Sequence, residues 1–125
     1  MATTTVTAGN FKSLVSKPGI VILDWWAPWC GPCKRFAPIF EAAALKHPEI
    51  TWGKVNTEEE PSLAGAFNIR SIPTLMAFRD GVLLFEQPGM LPPQGVEKLV
   101  AELQKIDMGE VRRKIDQQRA QQVAR

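Results

Sequence analysis

A chain of 125 residues with 45% hydrophobic and 22% charged side chains has the size and balance of one globular domain. Its longest apolar run, from Ile20 to Ala27, is interrupted by Asp24 and is far shorter than the ~20 residues that span a bilayer, so we expect no membrane segment. The net charge of +2 gives no reason to expect nucleic-acid binding, which calls for a dense basic face.

Hydrophobic periodicity predicts alternating strands and helices along most of the chain. A β-branched and aromatic run from Ile20 to Trp26 predicts a strand buried on both faces. The turn sequence Arg79-Asp80-Gly81 between two apolar runs predicts an antiparallel hairpin. Together these features predict an α/β fold with a central mixed β-sheet flanked by helices on both faces. In chain order the predicted elements are an edge strand at 3–6, a helix from Phe11 capped by Asn10, a strand at 20–26, a helix at 33–47, a strand at 50–55, a helix at 61–67, strands at 74–78 and 82–85, and a helix after Pro93.

The charges divide the chain into a body and a tail. Residues 1–106 carry ten basic and ten acidic side chains, whereas residues 107–125 carry five basic and three acidic ones. The five basic residues of the tail are Arg112, Arg113, Lys114, Arg119 and Arg125. We therefore predict one domain at 1–106 followed by a basic tail at 107–125.

The tail itself has a helical pattern. Asp107 and Glu110 resemble a capping pair, and Met108, Val111 and Ile115 follow at spacings of three and four, which predicts a helix from about 108 to 122. The apolar stripe ends at Ile115. Two interpretations stay open: a solvated helix or frayed end without a function, or a helix that docks on the body or on a partner.

The N-terminal segment has neither a basic leader nor an apolar stretch, so we expect no secretory signal and a cytoplasmic location. In that reducing compartment, the single pair Cys30 and Cys33 predicts a redox or metal site. A structural zinc site needs four ligands. Only His47 could join the two thiols, and it lies 14 residues beyond Cys33, so we expect no metal.

The residues around the cysteines resemble those of the thioredoxin family. The segment from Asp24 to Lys34 reads DWWAPWCGPCK, and it is followed by Ile72-Pro73-Thr74, by Gly81 in the hairpin and by Gly89 before the last helix of the body. The resemblance covers about residues 3–106. It implies a thioredoxin fold, here with an extra C-terminal helix, and a protein-disulfide reductase with no bound cofactor. The implied partners are oxidised proteins and a thioredoxin reductase that supplies electrons from NADPH. We expect a monomer.

The same resemblance indicates roles for the two cysteines. Cys30 lies between a strand and a helix, where unpaired N–H groups and the helix dipole favour a thiolate, so it is the expected nucleophile and the exposed member of the pair. Cys33, one turn further along, is the expected resolving thiol. Gly31 and Pro32 stiffen the turn between them, which favours reduction of clients.

Asp24 and Lys54 complete the predicted catalytic set. A charged, unpaired carboxylate inside an apolar strand costs several kcal/mol, so the alternative for Asp24 is a bulge or strand edge that turns it to the surface. In the family the matching aspartate is buried behind the cysteines and relays a proton to or from the resolving thiol. Lys54 matches the lysine expected to be its ion partner, although a lysine at a strand end can also be simply solvated.

The expected substrate-binding surface surrounds the cysteines. The resemblance implies a cis bond between Ile72 and Pro73, which exposes the backbone of Ile72 to an extended client peptide. Trp25 is predicted to be a core residue, and so is Trp26, for which a substrate contact is the alternative. The full predicted binding set is Trp29, Gly31, Pro32, Ile72, Pro73, Gly89 and Met90.

Two other functions remain open at this point. The proline-rich segment 87–93 and the tail could restrict the protein to one client. Alternatively, the chain could be a binding subunit whose thiol chemistry is incidental.

Overall fold

A computed structural model describes residues 2–124. None of the helices in this part of the chain is long and apolar enough to cross a membrane. The elements are β1 (Thr4–Val6), α1 (Phe11–Val15), β2 (Ile20–Trp26), α2 (Gly31–Lys46), β3 (Thr51–Asn56), α3 (Pro61–Ala66), β4 (Thr74–Arg79), β5 (Val82–Pro88), α4 (Pro93–Lys105) and α5 (Met108–Ala124).

The five strands form one mixed sheet in the order β1-β3-β2-β4-β5. Strands β1, β3 and β2 are parallel, while β4 runs antiparallel to β2 and forms the predicted hairpin with β5. Strand β2 is the central strand, and its residues 21–25 are all buried. This confirms the strand predicted from the apolar run, and it brings the cysteine segment to the carboxyl end of the middle of the sheet.

Alternating side chains of β2 enter two separate hydrophobic cores, as the two-residue period of a strand requires. Ile22 packs with Phe36 and Phe40 of α2 and with Val96 of α4 on one face of the sheet. Trp25 packs in the other core, which also contains residues of α1 and α3. Helices therefore cover both faces, and Trp25 is a core residue, as predicted.

The tail forms the predicted helix, and its first turns contact the body. Met108 is buried, Val111 and Ile115 are half-buried, and Arg112 forms a salt bridge with Asp80 at 3.6 Å. The side chains of residues 116–123 are exposed. Of the two interpretations of the tail, docking on the body thus applies to residues 108–115 and solvation to 116–123. Arg125, counted among the basic residues of the tail, lies outside the described residues.

Candidate active site

Strand β2 and helix α2 together place Cys30. The residue immediately precedes α2 in an extended conformation, with φ −83° and ψ 115°, and its Sγ accepts a hydrogen bond from the backbone N–H of Cys33 at 3.2 Å. The helix begins at Gly31, two residues before the predicted start. Pro32 fits there because the N–H that it lacks has no partner in the first turn of a helix. The sulfur of Cys30 therefore caps the N-terminus of α2.

Cys30 and Cys33 are joined in a disulfide, with their Cα atoms 5.2 Å apart. Both residues are buried, at 5% and 3% exposure, so the prediction that Cys30 is an exposed member of the pair is wrong for this oxidised form. What separates the two sulfurs is their position relative to the helix. A thiolate on Cys30 would accept the N–H of Cys33 and lie at the positive end of the α2 dipole, and both effects favour the anion.

Asp24 is fully buried within β2, which excludes the alternative of a surface bulge. It lies two residues beyond Ile22 in the strand and therefore on the same face of the sheet, the one that α2 covers. Neither of its carboxylate oxygens has a hydrogen-bond partner among the described residues. Burial raises the pKa of Asp24 to about 7, while the positive charge of Lys54 acts in the opposite direction. The carboxyl group can therefore gain or lose a proton near neutral pH.

Lys54 is the register partner of Asp24 in the β2–β3 pair. Its ammonium group, however, lies 4.8 Å from the ring centroid of Trp26, in a cation–π contact, and makes no salt bridge with Asp24. The predicted direct ion pair is thus absent, because the long lysine side chain is placed over the indole instead. Lys54 acts on Asp24 only through its charge at longer range.

The predicted binding residues meet around the disulfide. The Ile72–Pro73 bond is cis, as expected, and the carbonyl oxygen of Ile72 lies 3.7 Å from the Sγ of Cys30. The backbone N–H of Gly89, a residue at φ +95°, donates to the carbonyl of Pro73 at 2.8 Å. Trp29 is 66% exposed. Gly31, Pro32 and Met90 are exposed as well.

One contact of this surface has no counterpart among the predicted residues. The indole N–H of Trp29 donates a hydrogen bond to the carboxylate of Glu58, which holds the exposed ring. Trp26, the last residue of β2, packs with Ala27, Cys30 and Cys33. This agrees with its predicted place in the core behind the site. Glu58 follows β3, whose carboxyl end lies beside that of the parallel strand β2. This shared sheet edge was the available signal for Glu58.

No metal site accompanies the cysteines within residues 2–124, where no three His, Cys, Asp or Glu side chains are grouped to hold an ion. His47 lies at the other end of α2 and forms a hydrogen bond with Glu97 at 2.8 Å. The site therefore consists of a helix-capping sulfur, its disulfide partner, a buried carboxyl group and a rim of exposed backbone and apolar side chains.

Comparison with known proteins gives a consistent result. The family model for Thioredoxin matches residues 2–105. A Streptomyces coelicolor protein described as thioredoxin 2 is 46% identical over 120 residues, which cover 96% of this chain and 90% of that protein. The thioredoxin of Alicyclobacillus acidocaldarius is 37% identical over 103 residues, covering 82% of this chain and 98% of its own. A solved variant of Halobacterium salinarum thioredoxin superposes with a TM-score of 0.75 at 27% identity, covering 82% of this chain and 91% of that one.

Proposed function

Since this chain belongs to the thioredoxin family of thiol-disulfide oxidoreductases, we propose that it is a general protein-disulfide reductase in which Cys30 attacks and Cys33 resolves. The observation that carries this assignment is the position of the Cys30 sulfur, which caps α2 and accepts the N–H of Cys33. We further propose that the protein acts as a monomer in the cytoplasm. Residues 1–106 are the proposed thioredoxin domain and residues 107–125 an appended tail.

The first step is attack by the Cys30 thiolate on one sulfur of a client disulfide. A bond forms between Cys30 and that sulfur while the client's S–S bond breaks, and the second client sulfur leaves as a thiolate that takes up a proton. The product is a mixed disulfide between Cys30 and the client. Attack at Cys30 is favoured because its anion gains the hydrogen bond and the helix dipole, whereas Cys33 lies inside the helix.

The second step is attack by Cys33 on the sulfur of Cys30. The bond between Cys30 and the client breaks, the client leaves with two thiols, and the Cys30–Cys33 disulfide remains. Overall, two electrons and two protons pass to the client. Cys33 must lose its proton in this step. The proposed acceptor is the carboxylate of Asp24, since its pKa of about 7 suits proton transfer at neutral pH.

Client binding is proposed to use the rim described above. The carbonyl of Ile72 lies beside the Cys30 sulfur, so an extended client segment can pair with this backbone while its own cysteine reaches Cys30. The exposed ring of Trp29 and the neighbouring surface of Pro32 and Met90 supply apolar contacts. Backbone pairing is largely independent of client side chains, which suits a broad range of oxidised proteins. A thioredoxin reductase using NADPH is the proposed electron source.

The test is NADPH-driven reduction of insulin disulfides in the presence of a thioredoxin reductase. We expect turnover by the wild-type protein and a loss of more than about 100-fold for both Cys30→Ser and Cys33→Ser, because each removes one half of the dithiol. A Ser13→Ala variant, changed in an exposed residue of α1, is the matched control and should keep wild-type turnover. Persistent turnover in either cysteine variant would contradict the dithiol mechanism.

A further inference from the structure

An open groove of about 200 Å³ begins beside the disulfide. Two of its lining residues border Cys30. Trp29 precedes Cys30 in the chain, and the carbonyl oxygen of Ile72 lies 3.7 Å from its Sγ. The groove therefore lies next to the sulfur that a client disulfide has to reach. Its lining residues are Trp29, Thr57, Ile69, Arg70, Ser71 and Ile72.

Arg70 is the single charged residue of this lining. Its side chain is exposed, and its Nε donates a hydrogen bond to the Oδ1 of Asn68 at 3.1 Å, which orients the guanidinium group. None of the salt bridges formed within residues 2–124 involves Arg70. Its positive charge is thus free to meet a charge on a bound client.

The neighbouring glutamates do not line this groove. Each of the three carboxylates that follow β3 accepts a hydrogen bond from another part of the protein. The donors are the indole of Trp29 for Glu58, the side-chain amide of Asn56 for Glu59 and the backbone N–H of Ala8 for Glu60. Among the residues that line the groove, the charged one is Arg70.

Arg70 also lies at a suitable distance along the chain to contact a client side chain near the client's cysteine. It precedes Ile72 by two residues, and a client segment paired along this backbone advances about 3.3–3.6 Å per residue. A client side chain within two residues of its reacting cysteine can therefore reach the guanidinium. Because guanidinium binds carboxylate through paired N–H donors, the matching side chain is Asp or Glu.

We propose that Arg70 is a specificity-determining residue. It favours clients that carry an acidic side chain within two residues of their own reacting cysteine. The inference rests on the proposed reductase function and adds a preference to it. For an exposed ion pair the preference is modest. We expect about a two- to fivefold gain in kcat/KM for an acidic over a neutral client, and a loss of similar size for a basic one.

The experiment measures kcat/KM on six symmetrical peptide disulfides. In each peptide, Glu, Gln or Lys stands two residues before or two residues after the cysteine, in an otherwise identical sequence. Wild-type protein should reduce the Glu peptide faster than the Gln peptide and the Lys peptide slowest, at one position or both. Arg70→Lys should keep this order, Arg70→Gln should abolish it and Arg70→Glu should reverse it. Because the pair is exposed, 0.5 M salt should weaken the order in the wild-type protein.

Lys34→Gln is the matched control, since it removes one exposed positive charge next to Cys33 but outside the groove. It should keep the Glu-over-Lys ratio of the wild type to within about twofold. Equal ratios in wild type and Arg70→Gln, or an equal loss in Lys34→Gln, would overturn the inference. Insulin is assayed in parallel: if the wild type reduces neither insulin nor any peptide, the proposed function itself has failed.

Discussion

At the residue scale, the two cysteines differ in helix position and hardly in exposure, so their roles need a chemical test. With Cys33→Ser, the intermediate that joins Cys30 to a client cannot be resolved and should accumulate. With Cys30→Ser, the remaining thiol lies inside α2 and should capture at most about one-tenth as much client. Mass spectrometry of complexes captured from an oxidised extract measures both variants. Stronger capture by Cys30→Ser would reverse the assigned roles.

Asp24 gives a pH-dependent prediction. Its carboxyl is protonated in the folded and the unfolded protein below pH 3.8. Between pH 3.8 and about 7 only the unfolded chain loses the proton, and above about 7 the folded protein carries a buried charge. The stability associated with this raised pKa is therefore present at low pH and is lost as the pH rises through about 7. Asp24→Asn should stabilise the protein little at pH 4 and by up to about 4 kcal/mol at pH 8.

Urea denaturation of the oxidised protein at both pH values measures this difference. The exposed Asp116 provides the control, because Asp116→Asn should change the free energy of unfolding by less than about 0.5 kcal/mol at either pH. Equal stabilisation by Asp24→Asn at pH 4 and pH 8 would remove burial as the cause. The same variant should slow insulin reduction by about tenfold or more, since the proposed proton acceptor of Cys33 is lost.

At the element scale, Gly53 in β3 leaves room for side chains of the two neighbouring strands, β1 and β2, on the face of the sheet that α1 covers. A Cβ at this position would lie 2.6 Å from a methyl of Val6 and 2.7 Å from a methyl of Leu23, both in buried residues. Gly53→Ala should therefore overpack the core and destabilise the protein by about 1–3 kcal/mol. Gly65→Ala is the control, because its added Cβ has no contact within 4 Å beyond its chain neighbours and the backbone of its own helix, and in helix α3 it should stabilise by up to about 1 kcal/mol. Denaturant unfolding compares the two, and a neutral Gly53→Ala would show that β1 and β2 can move apart.

The elements also show how far the sequence alone can predict. Strand β2 was predicted with its observed bounds, because a β-branched and aromatic run of that length, interrupted only by Asp24, is typical of a strand buried on both faces. Helix α2 was predicted two residues late, since its start depends on the sulfur of Cys30 acting as a cap, which periodicity does not reveal. The contact of Lys54 with Trp26 was missed for a different reason. Register places Lys54 beside Asp24, but the direction of a long flexible side chain depends on the packed surroundings.

At the scale of the whole molecule, the tail is attached far from the chemistry. Arg79 at the end of β4 donates hydrogen bonds to the carbonyls of Leu103 and Ile106 at 2.8 Å. These carbonyls lie at the C-terminal end of α4, just before α5 begins, where a helix leaves its last carbonyl groups without partners in the helix. The next residue, Asp80, accepts a hydrogen bond from the N–H of Gly19 and forms the salt bridge with Arg112. This anchor lies at the start of β2, whereas the disulfide follows the end of that strand. The tail can therefore affect stability without touching the site.

The last prediction follows from that arrangement. A chain ending at Ile106 keeps every proposed catalytic residue and should retain near-wild-type insulin reduction. It loses the buried Met108 and the half-buried Val111 and Ile115, so its free energy of unfolding should fall by about 1–2 kcal/mol, once the entropy of ordering the helix is set against the lost burial. A chain ending at Asp116 is the control: it loses only residues whose described side chains are exposed, and should match the full chain within about 0.5 kcal/mol. Guanidinium denaturation and insulin turnover of the three chains make the comparison. An unfolded or largely inactive chain ending at Ile106 would place α5 inside the domain and move the proposed boundary beyond Ile115.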